Sequence, residues 1–283
     1  MLVHWTVFQH GDHHVEAQIF EPEQPTDKVI LFCPGFPGMG APHFEQRHAA
    51  TFVQAGFAVV TLRHCGTRLN SPTAPSMVNN AGRLHHGRQN NQTHLGGGPS
   101  TVKYWLNEPW IALQTLTNVY KDIYVWGSSF GAVAALWSLT TPGAPLNHVH
   151  QVLLVAGAQG MIDADEANDV MRIWKPEYMK FARVTDKVSL ISAEDDFATL
   201  KQAYENLPER VKALPPEIEL TYVVVAQDEL LSLGDTERFK TAIGGRGSVV
   251  IDDIDKAYVE HGLMAHDIPD YPTENFLDII GEI

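Results

Sequence analysis

A serine lies between two glycines in the segment Gly127–Gly131, which reads Gly-Ser-Ser-Phe-Gly. The apolar run Ile123–Trp126 before it is long enough for a buried parallel strand, and the small helix-forming residues Ala132–Trp137 after it favour a closely packed helix. A serine at this junction occupies a tight, strained turn, where glycines permit backbone contacts that a Cβ would block. We expect Ser129 to be a nucleophile, with the amide of Phe130 donating to an oxyanion. The alternative is an ordinary Gly/Ser turn.

A carboxylate that could orient a catalytic base follows the predicted strand Ile218–Val225. Asp228 lies just beyond the carboxyl end of this strand, which is where catalytic residues collect in open parallel sheets. Its alternative role is a helix or turn cap. Asp195 and Asp196 are rivals, because Lys187–Ile191 could be a strand that ends before them. The segment around them matches a helix start, however, where the helix dipole alone explains carboxylates. We therefore assign the acid to Asp228.

The elements that would position these side chains alternate between strand and helix, which predicts a parallel sheet in an α/β fold. At the start of the chain, residues 4–9 and 14–20 alternate apolar with polar and indicate an antiparallel pair. Further apolar runs predict strands at Val29–Cys33, Ala58–Leu62, His150–Val155, Ile218–Val225 and Ser248–Ile251. Apolar residues at helical spacing predict a helix from about Asn107 and another over about Phe197–Leu214, with a kink or restart at Pro208. Further helices are expected over His43–Gln54, which stops at Gly56, and over about Glu274–Ile280.

The Gly-x-Ser-x-Gly motif between a strand and a helix resembles the nucleophile elbow of the α/β-hydrolase superfamily, and the likeness extends from about Val29 to the C-terminus. The resemblance implies a catalytic triad in the chain order Ser, Asp, His. His261, which precedes a glycine and an apolar residue, then becomes the base; His266 is the rival and lies closer to the final helix. Because a serine holds the nucleophile position, the resemblance points away from the haloalkane dehalogenase and epoxide hydrolase branches, which use an aspartate.

The resemblance also implies a second oxyanion donor in the loop Pro34–Gly40, which is too rich in glycine and proline for a helix or strand. Gly35–Gly38 matches the family's His-Gly-x-x-type segment, so the donor is the backbone amide of Phe36. The sequence departs from the commonest form of this segment, with Pro34 where histidine is frequent. Arg63–Arg68 likewise departs from the family's Asp-x-x-Gly-x-Gly turn, which leaves its local role open.

A small helical cap is expected to interrupt the sheet after the strand His150–Val155. We place the α/β-hydrolase core at residues 1–157 and 216–283 and the cap insertion at 158–215. Within it, Met161–Pro215 is the candidate for substrate selection, since family insertions at this point often cover the active site. The aromatic and methionine side chains of 174–181 could line an apolar pocket, although packing in the core explains them equally well.

No metal or cofactor is expected. Six histidines that could suggest a metal site fall in a turn and a loop, and no carboxylate or thiolate cluster joins them: His10, His13, His14, His85, His86 and His94. A polar loop near the site entrance is the expected role of residues 69–100, whose length is typical of a functional or mobile loop. The two cysteines, Cys33 and Cys65, are too few for a disulfide scaffold and are expected to be buried free thiols.

Composition narrows the partners of the protein. The 283 residues suit one α/β domain with an insertion, and the formal charge of −14 argues against nucleic acid and anionic membranes. The sequence begins without a recognisable signal peptide and has no apolar run of membrane-spanning length, so we expect a reducing, cytoplasmic setting.

The expected function is therefore a cofactor-independent serine hydrolase, resembling a carboxylesterase, that cleaves a small or medium uncharged ester. The alternatives are a peptidase or amidase of prolyl-oligopeptidase type and a non-catalytic binding protein on the same fold. The chain has no room for the propeller that such peptidases normally carry.

Overall fold

The structure, a computed structural model, describes residues 1–11, 13–35, 42–64, 101–160, 193–226, 228, 231–252 and 273–281. Eight strands form one sheet in this part of the chain. They are β1 (Leu2–His10), β2 (His13–Glu21), β3 (Lys28–Cys33), β4 (Ala58–Arg63), β5 (Asp122–Ser128), β6 (Val149–Val155), β7 (Glu219–Val225) and β8 (Gly247–Asp252). All the predicted strands in the described residues are present, with bounds that differ by only a few residues.

The strand order across the sheet is β1-β2-β4-β3-β5-β6-β7-β8. β1 pairs antiparallel with β2, β2 pairs antiparallel with β4, and every other neighbouring pair is parallel. The predicted fold class, a mostly parallel sheet with antiparallel N-terminal strands, is confirmed. Because β3 to β8 are parallel, their carboxyl ends meet at one edge of the sheet, where a site can assemble.

Seven α-helices are described. They are α1 (Pro42–Gln54), α2 (Val102–Trp105), α3 (Glu108–Leu116), α4 (Phe130–Leu139), α5 (Ala193–Arg210), α6 (Leu233–Ile243) and α7 (Thr273–Ile279). Four of them, α1, α3, α5 and α7, match helices expected from the sequence, and a fifth, α4, matches the helix expected after the serine motif. The sequence did not indicate α2, which is four residues long, or α6.

Helix α4 is buried on nearly every side, as its composition predicts. Its alanines at 132, 134 and 135 let it lie close to β5, and it also packs against α3 and α5. This close packing fixes the helix start, which is the point where the predicted nucleophile lies.

Helix α5 carries the predicted amphipathic stripe, and Leu200 and Leu207 on that stripe are completely buried. Pro208 lies inside the helix and does not end it; the last turn instead passes into a 3-10 turn, Val211–Ala213. The sequence predicts a helical cap over 158–215, and α5, which lies within that range, packs directly against α4 and α2. Residues 161–192 lie outside the described part of the chain, so the boundary between core and cap stays a prediction. None of the helices in the described ranges is both long and apolar enough to cross a membrane.

Candidate active site

Ser129 has a strained backbone. It lies between β5 and α4 with φ 52° and ψ −122°, a conformation that L-residues rarely adopt. The turn is held by backbone hydrogen bonds: the amide of Ser129 donates to the carbonyl of Val155 at 2.8 Å, and the amide of Ala132 donates to the carbonyl of Ser129 at 2.9 Å. Ser129 is half-buried. We call the segment Gly127–Gly131 the serine turn.

The glycines of the serine turn are required by close backbone contacts. A Cβ on Gly131 would lie 1.9 Å from the carbonyl oxygen of Cys33, and a Cβ on Gly127 would lie 2.6 Å from the carbonyl oxygen of Gly131. Real Cβ atoms essentially never approach other atoms this closely. The two glycines therefore let the start of α4 pack against both the end of β5 and the end of β3.

Two further glycines bring neighbouring strands to Ser129. A Cβ on Gly157, which has φ 149° and follows β6, would lie 2.4 Å from the carbonyl oxygen of Ser129. A Cβ on Gly35, which follows β3, would lie 3.6 Å from Ser129 Oγ. The ends of β3, β5 and β6 thus meet around the serine, and residue 36, the predicted second oxyanion donor, directly follows Gly35.

Asp228 is located beyond β7, as expected from the sequence. Its side chain is half-buried, and Oδ1 accepts a hydrogen bond from the amide of Leu231 at 2.9 Å. That bond orients the carboxylate within the turn before α6. Asp228 therefore does cap a turn, which was the alternative role considered from the sequence. The cap holds its Oδ1, and the residue also lies at the sheet edge that carries Ser129.

Tyr222 links the neighbourhood of Asp228 to that of Ser129. Its hydroxyl donates to Oε1 of Gln159 and accepts from the amide of Gly157 at 3.5 Å. Burial raises the pKa of Tyr222 well above its ordinary value, and the nearby negative charge of Asp228 raises it further. Burial likewise raises the pKa of Tyr204, with a smaller contribution from Asp228. A neutral tyrosine thus lies near Asp228 and contacts Gly157, the glycine that borders the carbonyl of Ser129.

The structure brings Ser129 and Phe130 together and puts Asp228 on the same sheet edge. Phe36, His261 and the rival His266 lie outside the described residues, so their roles remain predictions. The rival acids differ in their surroundings: Asp195 is exposed, whereas Asp196 is buried and accepts a hydrogen bond from the amide of Val102 at 2.8 Å. Asp196 therefore serves to hold the start of α2.

The N-terminal histidines take part in ring contacts. His10 lies 4.7 Å from the ring of Trp110, and His13 lies 4.4 Å from that of Tyr104. Both histidines border an open pocket of about 680 Å³, which is also lined by residues of α2, α3 and α5 and includes neither Ser129 nor Asp228 in its lining. Within the described ranges, no group of three or more His, Cys, Asp or Glu side chains could hold a metal ion. Of the cysteines, Cys33 is a buried free thiol, and Cys65 lies outside those ranges.

One buried pair near the serine turn was not predicted. His64 Nδ1 lies 2.6 Å from Glu108 Oε2, and both side chains are almost completely buried. One feature of the sequence pointed to His64: it closely follows the predicted strand Ala58–Leu62 and belongs to Arg63–Arg68, the segment to which the sequence assigned no role. Its partner begins another helix 44 residues later, so local pattern does not identify it.

Comparison with known proteins rests on solved structures. No protein-family model matches the sequence, and neither does any curated protein. A thermostable carboxyl esterase from Bacillus coagulans is 15% identical, with 100% of this chain and 99% of that chain covered and a TM-score of 0.56. An esterase from Pyrococcus furiosus is 12% identical, with 99% of this chain and 90% of that chain covered and a TM-score of 0.61. The alpha/beta hydrolase GrgF from a Penicillium species is 13% identical, with 100% of this chain and 97% of that chain covered and a TM-score of 0.61. Full-length similarity of this kind, together with the strand order, shows that the chain has the α/β-hydrolase fold.

Proposed function

We propose that the protein is a serine hydrolase that cleaves a small or medium, uncharged carboxylic ester through an acyl-enzyme. Ser129 is the nucleophile, His261 is the general base and Asp228 orients it. The backbone amides of Phe36 and Phe130 form the oxyanion hole, and the reaction needs no cofactor. The predicted cap over 158–215 selects the substrate. The protein acts in the cytoplasm.

The observation that carries this proposal is the backbone of Ser129. A non-glycine residue at φ 52° and ψ −122° costs about 1–3 kcal/mol, and it persists only where the surroundings enforce it. An ordinary Gly/Ser turn could relieve this strain by having glycine at the strained position, whereas here the glycines flank the serine. Strain retained at a half-buried serine, at the carboxyl edge of a parallel sheet, supports a nucleophile.

The proposed chemistry follows from the proton that Ser129 must lose. A serine hydroxyl is a weak nucleophile at neutral pH, so His261 takes its proton during attack on the ester carbonyl and then gives it to the departing alcohol. Asp228 holds the imidazole tautomer and stabilises the imidazolium. The amides of Phe36 and Phe130 stabilise the tetrahedral oxyanion, each lowering the barrier by about 3 kcal/mol. Water, activated by the same histidine, then hydrolyses the acyl-enzyme.

An ester is the favoured substrate for two reasons. The structural relatives from Bacillus coagulans and Pyrococcus furiosus are named as esterases. In addition, the net charge of −14 disfavours a polyanionic substrate. The leaving group and acyl chain would be selected by the residues that cover the site.

A fluorophosphonate probe tests the nucleophile. The wild-type protein should become covalently labelled at Ser129, and Ser129→Ala should abolish both labelling and hydrolysis while the protein stays folded. Ser128→Ala is the matched control, because this neighbouring serine ends β5 and has no catalytic role in the proposal. Labelling that persists in Ser129→Ala, or an unlabelled wild-type protein, would refute the assignment and favour a binding protein.

The choice between ester and amide needs a second assay. Turnover should be measured with p-nitrophenyl esters of increasing acyl length and with aminoacyl p-nitroanilides. We expect the esters to be cleaved at higher kcat/KM than any anilide. If an anilide is preferred, the protein is a peptidase or amidase with the same nucleophile.

A further inference from the structure

A buried histidine and glutamate form a pair behind the serine turn. His64 directly follows β4, and Glu108 is the first residue of α3. Their side chains are 2% and 0% exposed, and His64 Nδ1 lies 2.6 Å from Glu108 Oε2. A carboxyl group without solvent contact is costly to bury, and it is retained where a specific hydrogen-bond partner compensates. The pair has no role in the proposed proton transfers.

The ring of His64 connects this pair to the serine turn. It stacks on Trp105, with ring centroids 5.3 Å apart and planes at 25°, and it contacts Phe130 edge to face at 5.3 Å and 78°. Trp105 contacts the same Phe130 ring at 6.1 Å. Phe130 is therefore enclosed by two rings, one of which is oriented by Glu108, and it directly follows the strained Ser129.

We infer that His64 and Glu108 are positioning residues, which hold the Phe130 ring and thereby keep the serine turn in its reactive conformation. This inference rests on the proposed function, because Phe130 supplies one proposed oxyanion donor. The strained turn needs surroundings that over-determine it, and the Phe130 ring is the side chain through which the layer of α2 and α3 can act on it. Geometric precision at an oxyanion hole affects the rate steeply, since its donors act at fixed distances.

His64 acts through Phe130 and does not itself transfer a proton to substrate. Its ring is 2% exposed, with one face against Trp105 and contact with Phe130 as well. A general base must reach the nucleophile within hydrogen-bonding distance and leave room for the substrate, so such burial excludes that role.

The test compares variants of His64 and Glu108 with control variants at a distant buried residue that lose a similar amount of stability. Glu108→Leu removes the hydrogen bond to His64, Glu108→Gln retains a hydrogen-bonding group, and His64→Gln removes the ring against Phe130. Phe57→Leu and Phe57→Ala are the matched controls. Phe57 is fully buried, but it precedes β4 at the opposite end of that strand, about 20 Å from His64. Thermal unfolding establishes which variants are folded at the assay temperature and how their losses compare.

The readouts are the second-order rate of fluorophosphonate labelling, kcat and KM for the best ester, and amide hydrogen exchange of peptides that cover 127–133. Glu108→Leu and His64→Gln should slow labelling at least about tenfold, with a fall in kcat and little change in KM. Their exchange over the serine turn should increase. Glu108→Gln should label within about threefold of wild type, and the Phe57 variants should lose stability without a change in rate or in exchange at the turn.

Three outcomes would decide against the inference or separate it from the proposed function. If Glu108→Leu and His64→Gln lose stability but label at the wild-type rate, the pair is merely structural. If His64→Gln is as unreactive as Ser129→Ala while folded and with unchanged exchange at the turn, His64 is the base and not a positioning residue. If the wild-type protein itself is unreactive, the hydrolase proposal fails, and the hydrogen exchange alone then decides whether the pair holds the turn.

Discussion

Replacing Gly157 with alanine tests whether the turn around Ser129 depends on the neighbouring strand end. The added Cβ would lie 2.4 Å from the carbonyl oxygen of Ser129 and 3.0 Å from its carbonyl carbon. Both are backbone atoms, so no flexible side chain can move aside. That carbonyl also accepts the amide of Ala132, so displacing it disturbs the first turn of α4.

The magnitude follows from two separate effects. A positive φ at alanine costs roughly 1–2 kcal/mol, and forcing a methyl group into a filled site costs about 1–3 kcal/mol more. Gly143 provides the matched control, since it has φ 78° but no atom within 4 Å of an added Cβ. Gly143→Ala should therefore lower the free energy of unfolding by about 1–2 kcal/mol, and Gly157→Ala by about 2–5 kcal/mol.

The assay combines urea unfolding with the rate of fluorophosphonate labelling, measured where both variants are folded. Gly157→Ala should slow labelling at least about tenfold, whereas Gly143→Ala should label at the wild-type rate. A folded Gly157→Ala protein that reacts like wild type would show that the contact between residues 157 and 129 does not set the reactive geometry.

Three further predictions concern other residues. Asp228→Asn should lower kcat far more than Asp195→Asn in ester hydrolysis, and the opposite ranking would move the acid to α5. Burial raises the pKa of Cys33 above its ordinary value of 9.0, so above that pH the thiol ionises only in the unfolded chain. The free energy of unfolding should then fall with rising pH, by up to about 1.4 kcal/mol per pH unit, and urea titrations of Cys33→Ala should lack this part of the slope. Arg210 contacts the ring of Trp137 at 3.7 Å and its carbonyl at 2.7 Å, so Arg210→Met should lower the free energy of unfolding by about 2–4 kcal/mol without slowing labelling of Ser129, the proposed nucleophile.

The strands of the sheet could be predicted from the sequence because each strand is identified by its own contiguous residues. β3 is buried from Val29 to Cys33 and β4 along its whole length, and such mainly apolar runs identify interior strands without knowledge of their neighbours. The serine turn was predictable for the same reason, since strand, turn and helix are contiguous in the chain. Asp228 needed only the end of β7 as a landmark.

Contacts between distant segments could not be predicted in this way. The His64–Glu108 pair depends on α3 returning to the end of β4, and the hydrogen bond from Val102 to Asp196 joins residues 94 positions apart. Neither partner carries a local pattern that identifies the other, because a buried carboxylate is compatible with its site only after the helices have packed. Asp196 shows the consequence: a rival for catalysis in the sequence is a helix cap in the structure.

The strained backbone of Ser129 predicts which of two substitutions at this position gives the more stable protein. Ser129→Ala and Ser129→Gly both remove the proposed nucleophile, but only glycine adopts φ 52° and ψ −122° without penalty. In an unstrained position, glycine would be the less stable of the two by about 0.5–1 kcal/mol, because it loses more conformational freedom on folding. Relief of about 1–3 kcal/mol of strain outweighs that loss, so Ser129→Gly should unfold at a higher urea concentration than Ser129→Ala. If the alanine variant is the more stable, the serine is not strained, and the main support for its role as nucleophile is lost.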